Sequence, residues 1–292
     1  MAEMNNICVH VPVRSISLPS RLHPNSLKID SLLTNLKSSP NSLQTESIQI
    51  ALTRLAELFV SIDELTTSPQ TQKSFHLHQS NQVEDILDGS IGLIDICSSA
   101  RDMFLNMQQH IQDLQSAFRR RGKDSTIERN IQDYITFRKK TKKDIAKSIR
   151  ILKRFERKTA SIINEEHHLI KVIKEAHAMT VTIFQSVFLF LSMPITKTST
   201  SRWSMISKLV QSGFVGSDKD DDKMVNEVGR VDIGVSSISG EIRKSNGKLD
   251  VQEMQERLKK LDACTQEIEA KLDCLFRCMI QNRVSLLNLI TP

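Results

Sequence analysis

Apolar residues recur along this chain at intervals of three and four. Leu93, Cys97, Ala100, Phe104, Met107, Ile111, Leu114 and Phe118 alternate spacings of four and three without a break, which puts all eight on one stripe of a helix. Gly122 and Lys123 close that helix. Ile48, Leu52, Leu55, Phe59 and Ile62 mark an earlier one, ending near Pro69, which can open a short successor. After Asp124 or Ser125, either of which can cap a helix, come Ile127, Ile131 and Tyr134, then Ile145, Ile149 and Leu152. The pattern reads on, with a kink, through Ile163, Ile170 and Ile173 to Leu191, and Pro194 stops it. The longest seam is Val251, Met254, Leu258, Leu261, Thr265, Ile268, Leu272, Leu275, Met279, Asn282, Leu286 and Leu289, roughly 58 Å of helix with coiled-coil-like spacing. Closure of this seam against 91–121 of the same chain is expected; homo-oligomerisation through 251–289 is the alternative. The fold expected is all-α: an elongated antiparallel helical bundle with long coiled-coil-like helices.

Two stretches break the pattern. Residues 1–25 carry Pro12, Pro19 and Pro24, each lacking an amide N–H and biasing its predecessor toward extended backbone, so they read as a disordered N-terminal arm. Residues 217–247 hold "SDKDDDK" and most of the late glycines and read as a mobile insertion with at most short local helix. The expected division is an arm at 1–25, a bundle at 26–216, the acidic and Gly/Ser-rich insertion at 217–247, and a long C-terminal helix at 248–292 packing on the bundle.

Composition agrees with helix. Nine glycines, seven prolines and 4% aromatic residues are too few for a turn-rich sheet protein. Charge changes the picture more. The chain is net +6, yet 119–158 alone carries 16 Lys/Arg against 5 Asp/Glu, so the remainder is net acidic. Arg119, Arg120, Arg121, Arg138, Lys139, Lys140, Lys142 and Lys143 are the candidate patch for an acidic partner or a lipid surface. A plain solvated helix face is the competing reading. Nuclear import or nucleic-acid contact is a weaker one, because few aromatic residues accompany the cations to stack on bases.

The run from Ala176 to Thr196 has no formal charge beyond His177 and is long enough to span a bilayer. Thr180, Thr182, Gln185, Ser186 and Ser192 dilute it, which favours a buried bundle helix over membrane association. Glu165 and His168 have the spacing of a di-iron half-site, but no second copy accompanies them. His76 and His78 form a pair without further ligands, and Cys264, Cys274 and Cys278 lack a fourth zinc donor. Phosphate-loop, dinucleotide, nucleophile-elbow and zincin motifs are all missing. The expectation is a non-enzymatic protein with no metal and no cofactor. Five scattered cysteines with no recognisable leader point to reduced thiols in a cytoplasmic protein, with membrane-associated or nuclear placement as alternatives.

One motif lies in the arm. In "RSISLP", Arg14 stands three before Ser17, Ser15 lies between them, and Pro19 stands two after. That is the pattern in which a basophilic kinase modifies Ser17 and a 14-3-3 protein clamps the phosphate in an arginine cluster, the proline turning the peptide out of the groove.

The same stretch, "HVPVRSISLPSRLHP" (His10–Pro24), resembles the opening of a plant-specific family of unknown biochemical function related to the BYPASS proteins. "VEDILDGSIGLIDICSSARD" (Val83–Asp102), "LQSAFRRRG" (Leu114–Gly122), "YITFRKKTKKDIAKSIRILK" (Tyr134–Lys153) and "SRWSMISKLV" (Ser201–Val210) follow in family order. Pro12 and Val13 are additional to the usual opening. The resemblance implies a helical, non-enzymatic plant protein linked to root and shoot development, and it supplies no catalytic residues; a regulatory or scaffold role through protein contacts is the expectation built on it.

Overall fold

In the computed structural model, residues 24–38, 44–76, 82–120, 124–159, 167–192, 225–244 and 251–291 are described. Among them the regular elements are all helices: α1 (Pro24–Ser38), α2 (Thr45–Thr66), α3 (Pro69–His76), α4 (Gln82–Arg119), α5 (Asp124–Thr159), α6 (His168–Ser192), α7 (Glu227–Lys244) and α8 (Val251–Ile290). Prolines open α1 and α3 at the first helical position, where a missing N–H costs nothing. Ser68 caps α3, its Oγ accepting from the Thr71 N–H at 3.3 Å. The arm residues Arg14, Ser15, Ser17 and Pro19 lie outside the described residues.

Side-chain contacts give the helix directions. Cys97 donates to the Leu272 carbonyl at 3.5 Å, and Arg283 reaches Ser90 Oγ at 2.7 Å, so α4 and α8 run antiparallel. Thr45 meets Cys264 and Gln49 meets Glu267, so α2 and α8 run parallel. His110 packs on Phe137, and Phe155 lies against Gly92, making α4 and α5 antiparallel. Phe104 stacks on Phe190 with ring centroids 6.4 Å apart, and His177 lies beside Gly89, making α4 and α6 parallel. Every predicted seam position of α8 is buried except Val251, which is half-buried, and the cover comes from α2, α4 and α7 of the same chain. Arg101 ties α4 to α8 on the flank, 2.6 Å from Asp273 and with its guanidinium 5.2 Å from the Phe276 ring centre.

Two expectations change. The pattern from 124 to 191 is not one kinked helix: α5 ends at Thr159, α6 starts at His168, and the two pack together. Their apolar stripes need the same core, and a continuous rod would leave one of them bare. The second change concerns 217–247, where 227–244 form an eighteen-residue helix rather than mobile chain. Val228, Val231, Val235 and Ile238 are buried. Asn226 secures its start, accepting from the Gly229 N–H at 3.0 Å while donating to the Phe190 carbonyl at 2.8 Å. Three glycines inside α7, Gly229, Gly234 and Gly240, weaken helix propensity, and apolar burial outweighs them.

The apolar run weighed as a membrane segment is described as far as Ser192, and it is the inward helix α6. Phe184, Val187, Phe188, Phe190 and Leu191 are fully enclosed. Its hydroxyls need no water, because Thr180 donates to the Ala176 carbonyl at 2.7 Å and Thr182 to the Ala178 carbonyl at 3.2 Å. No described helix is long and apolar enough to cross a membrane.

Helices α4 and α5 approach closely at Gly92, where an added Cβ would stand 2.2 Å from Phe155 Cζ. Gly92→Ala is expected to destabilise the chain by about 1–3 kcal/mol, the usual range for overpacking. In a Phe155→Ala background the same change should be neutral or slightly stabilising, since alanine is the better helix former. Urea unfolding of the double-mutant cycle reads this coupling directly.

Candidate interaction surface

Helix α5 collects the charge and the structure sorts it. Lys139, Lys140 and Lys143 are exposed, as are Arg119 and Arg120 at the end of α4; Arg121 lies outside the described residues. Arg138 does not belong with them, although it was read as part of the patch. Its side chain is 0% exposed and occupies the core stripe of α5, four residues after Tyr134. The Asp232 carboxylate from α7 receives it bidentately, at 2.9 Å from Nε to Oδ1 and 2.9 Å from Nη2 to Oδ2. Tyr134 donates its hydroxyl to the same carboxylate at 2.8 Å. Burial alone works against the Arg138 charge, but the adjacent carboxylate more than offsets it, and the guanidinium holds its proton above the ordinary range. Burial and the nearby carboxylate both push the Tyr134 hydroxyl well up, so it stays a neutral donor. Lys142 is half-buried beside this cluster. Burial lowers its pKa, and the Arg138 charge adds to that while Asp232 opposes it. Arg138 therefore ties α7 to α5, and neither it nor half-buried Lys142 belongs to the outer surface.

That outer surface extends further along α5 than the cluster around 138–143 suggested. Lys140, Lys143, Lys147, Arg150, Arg154 and Arg157 alternate spacings of three and four, and all are exposed. With Lys139 they fall within about 100° of arc and span roughly 25 Å of helix. The regular spacing turns a stretch of basic sequence into one straight row of cations. Lys147 also bonds Asp144 on the same helix at 3.2 Å, an exposed pair of little energetic weight. Ile151, 43% exposed, lies beside the row.

Elsewhere most of the described thiols are put to packing, Cys274 being exposed. Burial pushes the Cys97 and Cys264 thiols up to about 12 and Cys278 up to about 11, which leaves them protonated and poor nucleophiles near neutrality. Thr45 bonds Cys264 at 3.1 Å in the core. A cleft of about 300 Å³ between α2 and α8 is lined by Phe59, Val60, Asp63, Arg277, Cys278 and Gln281. Among the described residues, no three His, Cys, Asp or Glu side chains converge to hold a metal.

A family model described as Protein BPS1 matches residues 51–289. No curated protein and no solved structure matches the chain. The matched span covers α4, α5, α6, α7 and nearly all of α8, and so includes both the buried Arg138–Asp232 pair and the basic row.

Proposed function

The chain belongs to the BPS1 family, and from that membership we propose that it is a regulatory or scaffold protein of plant root and shoot development. It acts through protein–protein contacts rather than by catalysis. The contact surface is the outer row of α5, Lys139, Lys140, Lys143, Lys147, Arg150, Arg154 and Arg157, and the partner it fits is acidic. The observation that carries this reading is the straight row itself: cations at three-and-four spacing, solvent-facing along their whole length. Such a line attracts a complementary surface over a distance of about 8–10 Å at moderate salt and loses that reach as salt rises.

The test is complementation of plants lacking the chain. The quadruple variant Lys143→Glu, Lys147→Glu, Arg150→Glu and Arg154→Glu should fail to restore root and shoot growth. A variant with the same four positions exchanged between Lys and Arg should succeed. All four side chains are exposed, so melting temperatures should differ little among the three proteins. Full restoration by the quadruple variant removes the row from the function. We further propose that Ser17, once phosphorylated, docks a 14-3-3 protein through Arg14, Ser15 and Pro19. A phosphopeptide covering 10–24 should bind in fluorescence anisotropy at least about tenfold more tightly than its unphosphorylated form, as charge-assisted recognition by an arginine cluster requires.

A further inference from the structure

We propose that the face shared by α4 and α5 is self-complementary and docks on a second copy of this chain, across a two-fold axis parallel to the helices. The proposal rests on the reading that the α5 row meets an acidic partner, and it identifies that partner.

The acidic surface is on the neighbouring helix. Glu84, Asp88, Asp95, Asp102 and Asp113 are all exposed and fall within about 40° of arc on α4 at about 100° per residue. No cation shares that strip, since Arg101 turns to the α8 side and meets Asp273. Both rows open onto the same outward face. Going round α4, the positions that face α5, Gly92 and His110, lie between the core stripe and the acidic row. Going round α5, the positions that face α4, Phe137 and Phe155, lie between the core stripe and the basic row. The face therefore carries a negative line and a positive line side by side. Among the described residues no ion pair joins the two lines within one chain; Lys147 pairs with Asp144 on its own helix.

The heights match as well. His110 stands level with Phe137 and Gly92 with Phe155, which sets the antiparallel register. On that register Asp102 is level with Ile145, between Lys143 and Lys147. Asp95 is level with Leu152, between Arg150 and Arg154, and Asp88 is level with Thr159, two residues beyond Arg157. A two-fold axis parallel to the helices preserves height and exchanges α4 with α5. It therefore lays Asp95 and Asp102 of one copy each between two cations of the other, with Asp88 just past Arg157, twice over, as an isologous interface requires. Exposed Ile151 sits between the basic row and the α4–α5 seam, and exposed Ile91 and Leu105 flank the acidic row, giving apolar area at the contact. A flat anionic bilayer is a poorer occupant, because it would meet the negative line together with the positive one.

Sedimentation velocity on the full chain tests this. Wild type should dimerise at low salt, with the dissociation constant rising about tenfold or more at high salt. The α5 variant Lys143→Glu, Lys147→Glu, Arg150→Glu, Arg154→Glu and the α4 variant Asp88→Lys, Asp95→Lys, Asp102→Lys should each be monomeric alone. An equimolar mixture of the two should dimerise, since each then offers the other two oppositely charged rows. If the quadruple variant melts early, Lys147→Gln with Arg150→Gln weakens the same contact without reversing charge. The proposal is overturned by a wild type that stays monomeric at low salt, by a dimer indifferent to both reversals, or by a mixture that stays monomeric. Capture of wild type by phosphatidylserine vesicles in place of dimerisation overturns it equally. A monomeric wild type whose α5 variant still fails in plants leaves the acidic-partner reading standing and removes only the second copy. A charge-dependent dimer whose α5 variant restores growth does the reverse.

Discussion

Asp232→Ala is expected to destabilise the chain by about 3–5 kcal/mol, the cost of leaving a buried charge without its partner. The Arg138 side chain is fully enclosed, so water cannot replace the carboxylate, and the Tyr134 hydroxyl loses its acceptor in the same step. The loss should be local first. The carboxylate is the polar tie between α7 and α5, while the rest of α7 is held by Val228, Val231 and Val235 and by Asn226 at its start. Hydrogen exchange should therefore show α7 amides losing protection before those of α4 or α8. Replacing both partners, Arg138→Met with Asp232→Leu, should recover most of the stability, because the pair's own net contribution is small once both desolvation costs are removed. Urea unfolding of the two single variants and the double reads this as a large favourable coupling. A single Asp232→Ala variant with wild-type stability and unchanged α7 protection would show that water reaches Arg138 or that another carboxylate rearranges to meet it.

The helices with uninterrupted apolar stripes were legible because their period is set by the same geometry that buries them. Leu93 through Phe118 and Met254 through Leu289 are core positions in the structure, as their spacing requires. Helix α7 was missed because "GRVDIGVSSISGEIRKSNG" was weighed by its glycines and serines. The signal was present in Val228, Val231, Val235 and Ile238 at spacings of three, four and three. Arg138 was misread for a related reason. Composition placed it in "RKKTKK", but Ile131, Tyr134, Arg138, Thr141 and Ile145 continue the core stripe of α5, and a cation at a seam position needs a buried acid. Its partner lies 94 residues away on a helix the sequence had not suggested, and pairing across that separation is settled only by packing. The break between α5 and α6 was hidden because both halves keep a helical period and no proline or glycine stands between 159 and 168. The basic row was half legible. The dense cluster drew attention to 138–143, whereas the straight line depends on Lys147, Arg150, Arg154 and Arg157, which are interleaved with apolar and other charged residues.

Acid should weaken this fold before the carboxylates account for it, and His177 is the reason. The ring is 9% exposed and lies in the core of α6, its Nδ1 3.4 Å from the place a Gly89 Cβ would occupy. Burial drives its pKa from 6.5 down to about 4. In the unfolded chain the ring takes a proton as the pH falls through 6.5; in the folded chain it refuses one until about 4. Between those values the unfolded state binds more protons, so stability falls as pH falls. The contribution is fully present above about 6.5 and is lost across the window down to about 4, a total of about 3 kcal/mol at 1.36 kcal/mol per pH unit. Half-buried His110, whose pKa burial also lowers against the pull of Asp113 and Asp133, adds a smaller loss of the same sign. Urea unfolding at a series of pH values from 7.5 to 4 should show the decline in wild type and a flatter profile in His177→Gln. The variant removes the titration while its amide occupies similar volume, and every carboxylate remains common to both proteins, so the difference between the two profiles belongs to position 177. Parallel profiles across the whole range would mean that His177 is reached by water or opens with α6 at low cost, and the acid sensitivity would then have to come from other groups.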